Sequence, residues 1–137
     1  MTSEFNNLVL FDVPITSIDY LGNYLIISGG GGGKKFGVKN FMNTYLVKNK
    51  LVSKVVCFSH EFKTEIPNYI KSVKSHNLIL VCLTNSILIF SIDLNTGAMN
   101  NIQEIVVSNN TNEEIYLSTL SIDIKNLVVG SSDGNMK

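Results

Sequence analysis

The sequence lacks tryptophan, has only two prolines and two cysteines, and carries no formal net charge. Without an excess of positive charge, nothing draws the chain as a whole toward nucleic acid or anionic lipid. The longest apolar run, residues 78–83, is far shorter than the roughly 20 residues of a membrane-spanning helix. The polar residues 1–7 do not read as a secretory signal, which predicts a cytosolic setting. We expect no nucleic-acid partner and no membrane contact within these residues.

Reactive side chains are also few. Cys57 and Cys82 each lie in an apolar, strand-like run, which favours buried packing over redox chemistry. His60, Glu61 and Glu65 lack the spacing of a zinc motif, so we expect solvated surface residues. No nucleophile, base and orienting group can be assembled from the sequence. Covalent catalysis is therefore not expected.

What the sequence does contain is a repeated pattern. Residues 15–33, 70–86 and 117–134 each show an alternating stretch, a turn with asparagine and a run of β-formers. Further strand-like stretches follow the first two segments and bring each unit to four strands, the number in a propeller blade. The pattern predicts an all-β, WD-type β-propeller, of which the chain supplies the N-terminal blades only, about two and a half of them.

The expected boundaries follow from the repeats. Residues 8–13 would form the outer strand of a blade completed elsewhere, and the units would occupy about 15–58, 68–107 and 115–137. Residues 25–28 and 78–83 should be equivalent strands, mostly buried, because each run is apolar on both faces. Open edges would remain beside the last strands, and we expect another chain or a neighbouring copy to cover them.

The unusual feature is a glycine-rich segment, residues 29–40, between the second and third strands of the first unit. The equivalent turn of the second unit is short, around residues 84–86, so the segment reads as an insertion. Insertions on one face of a repeat array often bind partners. Five consecutive glycines lose much entropy on ordering, and an ordered loop needs a ligand, an ion or a partner. The alternative is a flexible linker.

Two phosphate-binding motifs fail on spacing. The P-loop register that places Gly33 before Lys34 begins at Ser28 and ends at Lys35, neither of which the motif allows. The dinucleotide fingerprint also fails at its last position, and no helix follows the glycines. Nucleotide binding by this segment alone is therefore not favoured.

The order Leu-Ile-Ile-Ser at residues 25–28, four glycines, four residues and then Gly-Val-Lys-Asn at 37–40 resembles the first-blade signature of the Sec-twelve (PREB) family. Its members are guanine-nucleotide exchange factors that load a Sar-family small GTPase and start COPII coat assembly in endoplasmic reticulum to Golgi transport. The resemblance implies a WD propeller on the cytosolic face of the endoplasmic reticulum membrane. Full-length members carry a C-terminal membrane anchor.

In that family the segment is called the K loop and surrounds a potassium ion. The resemblance places the ion among backbone carbonyls of Gly29, Gly30, Gly31 and Gly32, with Asn40 as a side-chain ligand or brace. Glycines allow carbonyl oxygens to converge on a hard cation. The lack of a carboxylate between Ser28 and Asn40 disfavours calcium and magnesium.

The expected exchange site rests on two residues, Val38 as an apolar contact to the GTPase and Asn40 as part of the ion-braced scaffold, outside the strands. Further contacts to the GTPase are expected from Gly33, Lys34, Lys35, Phe36, Gly37 and Lys39. The alternative function is a WD-repeat scaffold for protein–protein interaction without exchange activity.

Overall fold

The computed structural model of the chain describes residues 11–31, 37–63, 65–107, 115–120 and 125–131. The regular structure in these residues is ten β-strands and a single 3-10 turn, Lys74–His76. No helix in the described part of the chain is long and apolar enough to cross a membrane.

The first sheet is an antiparallel meander of four strands in chain order. Its strands are β1 (Ile15–Leu21), β2 (Tyr24–Gly29), β3 (Asn40–Lys48) and β4 (Leu51–Phe62). Tight turns join β1 to β2 and β3 to β4. Gly22, Asn49 and Lys50 supply the left-handed backbone of these turns, with φ of 60°, 52° and 63°. Turns of this hand match the twist of the strands that they connect.

The second sheet repeats this arrangement. Its strands are β5 (Tyr69–Val73), β6 (Leu78–Cys82), β7 (Ser86–Ile92) and β8 (Met99–Val106), again antiparallel and in chain order. A third sheet consists, in the described residues, of β9 (Ile115–Leu120) and β10 (Leu127–Ser131). The predicted all-β class is confirmed, and two four-stranded antiparallel sheets are compatible with a β-propeller-like fold.

The strand registers make the first three strands of the two four-stranded sheets equivalent position by position. Leu21 pairs with Tyr24 in the first sheet, and Val73 pairs with Leu78 in the second. Tyr24 therefore corresponds to Leu78. The same offset matches β2 with β6 as second strands, and both are mostly buried. The prediction that residues 25–28 and 78–83 are equivalent buried strands is confirmed, although β6 ends at Cys82 and Leu83 is buried just beyond it.

Two apolar cores lie between consecutive sheets. The core between the first and second sheets contains Leu21, Tyr24, Ile26, Met42, Phe62, Ile70, Ile79, Val81, Leu83, Leu88, Phe90, Ile92 and Met99. The opposite face of the second sheet and β10 share the other core, with Val73, Leu80, Cys82, Ile87 and Val129. Because side chains alternate along a strand, the second sheet buries both of its faces.

Polar contacts tie the first two sheets at their first strands. The Asp19 carboxylate accepts hydrogen bonds from the Ser72 backbone N–H at 2.7 Å and the Ser72 hydroxyl at 2.8 Å. The Ser17 hydroxyl oxygen accepts from the Ile70 N–H at 3.1 Å. On β3, the buried Thr44 hydroxyl donates to the Gly97 carbonyl at 2.9 Å. Hydrogen bonds at both the first strands and the third strand therefore fix how the sheets pack.

Three expectations from the sequence are corrected. Cys82 is buried as predicted, but Cys57 is exposed, because β4 is the outermost strand of its sheet and no further strand among the described residues pairs with its edge. Asn40 is not outside the strands: it is the first residue of β3. Residues 11–13 of the expected outer strand 8–13 are not in a strand, and residues 8–10 lie outside the described residues.

Candidate functional site

The connection between β2 and β3 differs most between the two equivalent sheets. In the second sheet residues 83–85 suffice, and the Leu83 N–H donates to the Ser86 carbonyl at 2.9 Å across the turn. In the first sheet the same strands are joined by residues 30–39. The expected insertion is therefore present, although Gly29 itself belongs to β2.

The connection leaves the sheet against Pro14. A β-carbon at Gly29 would lie 2.2 Å from the Pro14 carbonyl oxygen, closer than any real side chain could come. The Gly30 N–H donates to the same oxygen at 3.0 Å. These two glycines allow the chain entering β1 to lie directly on the end of β2.

Glycine is also required where the two ends of the connection meet. Gly30 has φ of +147°, and a β-carbon there would lie 2.3 Å from Oδ1 of Asn40. A β-carbon at Gly31 would lie 2.7 Å from the β-carbon of Val38. At each of these two contacts a glycine at one end of the connection faces a side chain at the other end, and the Asn40 side chain is fully buried.

Two described residues near the β3 end of the connection, Gly37 and Lys39, are exposed to solvent. Gly37 has φ of +71°, and a β-carbon added there would meet nothing within 4 Å. The exposed Lys39 ammonium lies 3.1 Å from the Glu61 carboxylate on β4. An exposed pair of this kind contributes at most about 1 kcal/mol. This ion pair nevertheless places one positive and one negative charge beside the connection.

The described site residues lie together at one end of the first sheet: Gly29, Gly30, Gly31, Gly37, Val38, Lys39 and Asn40. The remaining predicted residues, Gly32, Gly33, Lys34, Lys35 and Phe36, lie outside the described residues. Of the two residues expected to carry exchange, Val38 is half-buried against Gly31 and Asn40 is fully buried against Gly30.

The donor set around the connection fits a monovalent cation better than a divalent one. Backbone carbonyls of Gly30 and Gly31 and the amide oxygen of Asn40 are neutral oxygen ligands. Gly29 is less suited, because its backbone is flanked by β1 on one side and β3 on the other. The nearby Glu61 carboxylate is paired with Lys39. No group of three or more His, Cys, Asp or Glu residues within the described ranges forms a metal site.

The second sheet has its own residue at the position equivalent to Asn40, and the sequence alone did not reveal this correspondence. The registers match Phe41 with Ser86, so Asn40, the first residue of β3, corresponds to Asn85, which stands directly before β7. An asparagine therefore stands at this position whether or not glycines precede it. The unusual part of the site is the glycines and Val38.

His60 is the other polar residue that sequence reasoning placed wrongly. It is half-buried, with its ring edge-on to Phe62 at 4.7 Å and to Phe90 of the second sheet at 5.1 Å. Burial lowers the pKa of its imidazole. Glu65 is half-buried too, and burial together with Glu104 raises the pKa of its carboxyl. Neither is a freely solvated surface residue; for His60 the alternation shared with Phe62 was the available signal.

Comparison with known proteins adds no assignment: no protein-family model matches the chain, and no curated protein matches it.

Proposed function

We propose that the chain is the N-terminal part of a β-propeller exchange factor for a Sar-type small GTPase, with the connection between β2 and β3 as the element that acts on the GTPase. The proposal rests on one observation, the length and the close packing of this connection. It is much longer than its equivalent, and three consecutive glycines stand where a β-carbon would collide with Pro14, Asn40 or Val38. A linker without a function has no need of such close packing.

Exchange requires no covalent chemistry from the protein. An element that binds the nucleotide-free GTPase more tightly than the GDP-bound form shifts the population toward release. Val38 is half-buried and supplies the apolar contact to the switch region. Asn40 and the glycines hold the connection in the shape that presents Val38. Lys39 and Glu61 lie beside it and orient the partner by charge.

A potassium ion is part of this proposal. Gly30, Gly31 and Asn40 would hold it through neutral oxygens, and its role is to stiffen the connection by drawing these oxygens together. The same GTPase contact would start COPII coat assembly at the cytosolic face of the endoplasmic reticulum.

The test is the rate of release of a fluorescent GDP analogue from a purified Sar-type GTPase. The chain should accelerate release, and Val38→Ala should reduce the acceleration about tenfold, since it removes two methyl groups from the contact. Asn40→Ala should also slow release, whereas the matched variant Asn85→Ala should leave the rate at the wild-type value. Thermal unfolding of all variants separates a loss of exchange from a loss of fold.

Two results would contradict the proposed function. If the chain binds the GTPase without accelerating release, it is a scaffold. If neither binding nor release depends on Val38, the connection has been assigned the wrong partner.

A further inference from the structure

β1 contains one residue that its equivalent strand β5 lacks. Ile15 pairs with Gly29 and Ser17 pairs with Ser28, which leaves Thr16 as an extra residue opposite β2. Such an extra residue is a β-bulge, and β5 pairs with β6 without one. Bulges are common next to functional sites because they redirect a strand. This bulge lies opposite the end of β2, where the long connection begins.

The segment just before the bulge holds the first residue of the connection. The carbonyl oxygen of Pro14, two residues before Thr16, accepts a hydrogen bond from the Gly30 N–H at 3.0 Å. Ile15 lies opposite Gly29 in the ladder between β1 and β2. Because the ladder is interrupted at Thr16, the position of Pro14 against Gly30 depends on how the bulge itself is fixed.

The Thr16 hydroxyl ties the bulge to the second sheet. It donates a hydrogen bond to the carbonyl oxygen of Pro67, two residues before β5. The same hydroxyl oxygen lies 3.2 Å from the hydroxyl oxygen of Ser28, a fully buried residue of β2. Thr16 is an exposed residue, so these hydroxyl contacts, rather than burial of apolar surface, hold it in place.

The other side-chain hydrogen bonds from β1 to the second sheet lie on the far side of the bulge. Ser17 and Asp19 make these bonds, and both follow Thr16 in the chain, whereas Pro14 precedes it. Within the described part of β1, Thr16 is therefore the residue closest to Pro14 whose side chain bonds the second sheet. The segment that holds Gly30 is fixed to that sheet through Thr16.

We propose that Thr16 is a positioning residue for the connection between β2 and β3, and that its hydroxyl ties the position of Gly30 to the second sheet. As far as it concerns exchange, this inference rests on the proposed function. Gly31 follows Gly30 and lies against Val38, since a β-carbon at Gly31 would be 2.7 Å from that of Val38. A displacement of Gly30 therefore displaces the residue proposed to contact the GTPase.

Hydrogen exchange of the Gly30 amide, followed by NMR on the chain alone, tests the role of the Thr16 hydroxyl without any GTPase. Thr16→Val keeps the shape of the side chain but removes the hydroxyl, and exchange of this amide should become about fivefold faster, the effect of losing one ordinary hydrogen bond. Thr16→Ser restores the hydroxyl and should exchange at the wild-type rate.

Thr96→Val is the matched control. Thr96 is also exposed, and its hydroxyl also makes a hydrogen bond, accepting from the Ala98 N–H at 3.2 Å between β7 and β8. Removing this hydroxyl should leave exchange of the Gly30 amide unchanged. In the assay of GDP release, Thr16→Val should lower the acceleration at least about twofold, and Thr16→Ser should retain it.

The possible failures can be told apart. A wild-type chain that does not accelerate GDP release contradicts the proposed function, and the Gly30 amide then decides alone whether Thr16 positions the connection. That role is overturned if Thr16→Val leaves the amide exchange unchanged, or if Thr16→Ser or Thr96→Val speeds it equally. Full acceleration of GDP release by Thr16→Val would show that the exchange activity does not depend on this residue.

Discussion

The first three strands of the first and second sheets pair in the same register, yet the two sheets differ at two positions that matter here. The connection between the second and third strands is long in the first sheet and short in the second. The first strand of the second sheet buries Ile70, whereas the equivalent Ile18 is exposed. The shared positions are those that hold the fold. The long connection is the place where we propose that a partner protein binds.

The largest expected effect comes from the pair of equivalent isoleucines. Ile70→Ala should lower the free energy of unfolding by about 2–5 kcal/mol, because it opens a cavity in the core between the sheets. Ile18→Ala should change it by no more than about 0.5 kcal/mol, as at other exposed positions. Urea unfolding at low protein concentration measures both values. Equal losses in the free energy of unfolding would mean that burial does not distinguish the two positions. That result would contradict the comparison of the two sheets.

A pair of glycines gives the next effect. Gly97 has φ of +77°, and a β-carbon there would lie 2.5 Å from the Tyr24 ring, in the contact between the two sheets. Gly97→Ala should cost about 2–4 kcal/mol, the sum of backbone strain and overpacking. Gly37 has a similar φ of +71° but open space around it, so Gly37→Ala should cost only the strain, about 1 kcal/mol. A Gly37 variant as unstable as the Gly97 variant would show that the connection packs against something more.

The smallest effect is a dependence on pH at the contact of His60 with Phe90. Because the folded state lowers the pKa of His60, protonation favours the unfolded chain. The contribution of this residue is present above its ordinary pKa of 6.5 and is lost as the pH falls below that value. The raised pKa of Glu65 acts in the opposite sense, stabilising the fold as the pH falls toward 4.5.

Melting temperatures measured between about pH 7 and about pH 5 separate the two groups. His60→Asn should lose less stability than the wild type over this range, and Glu65→Gln should lose more. The Phe11 ring is edge-on to Tyr45, the residue that corresponds to Phe90, and it cannot titrate. Phe11→Leu should therefore leave the shape of the pH profile unaltered. A wild-type pH profile identical to that of His60→Asn would show that His60 does not contribute to the pH dependence of stability.

Much of the fold could be predicted from local sequence. Alternation and asparagine-containing turns located the strands of both four-stranded sheets, because side-chain period and turn chemistry are properties of neighbouring residues. Cys57 was predicted wrongly because a run of apolar residues does not reveal whether its strand lies inside a sheet or at the outer edge. That distinction depends on which strands pair, and pairing is not local.

The candidate site could be located but not described from the sequence. Its length relative to the second repeat was visible, and so were Val38 and Asn40. The approach of Gly30 to Asn40 and of Gly29 to Pro14 depends on the sheet register, which no short motif reports. The same holds for His60, whose ring meets Phe90 of another sheet. Contacts between distant segments were therefore the part that required the structure.

The most direct test of the account exchanges the one connection for the other. Residues 30–39 are replaced by the equivalent short turn, residues 83–85, and GDP release from a Sar-type GTPase is measured beside thermal unfolding. If the connection is an addition to a common sheet, the graft should keep its β-sheet signal and melt near the wild-type temperature, while GDP release falls to the rate of the GTPase alone. A folded graft that accelerates GDP release as well as the wild type does would contradict the central claim.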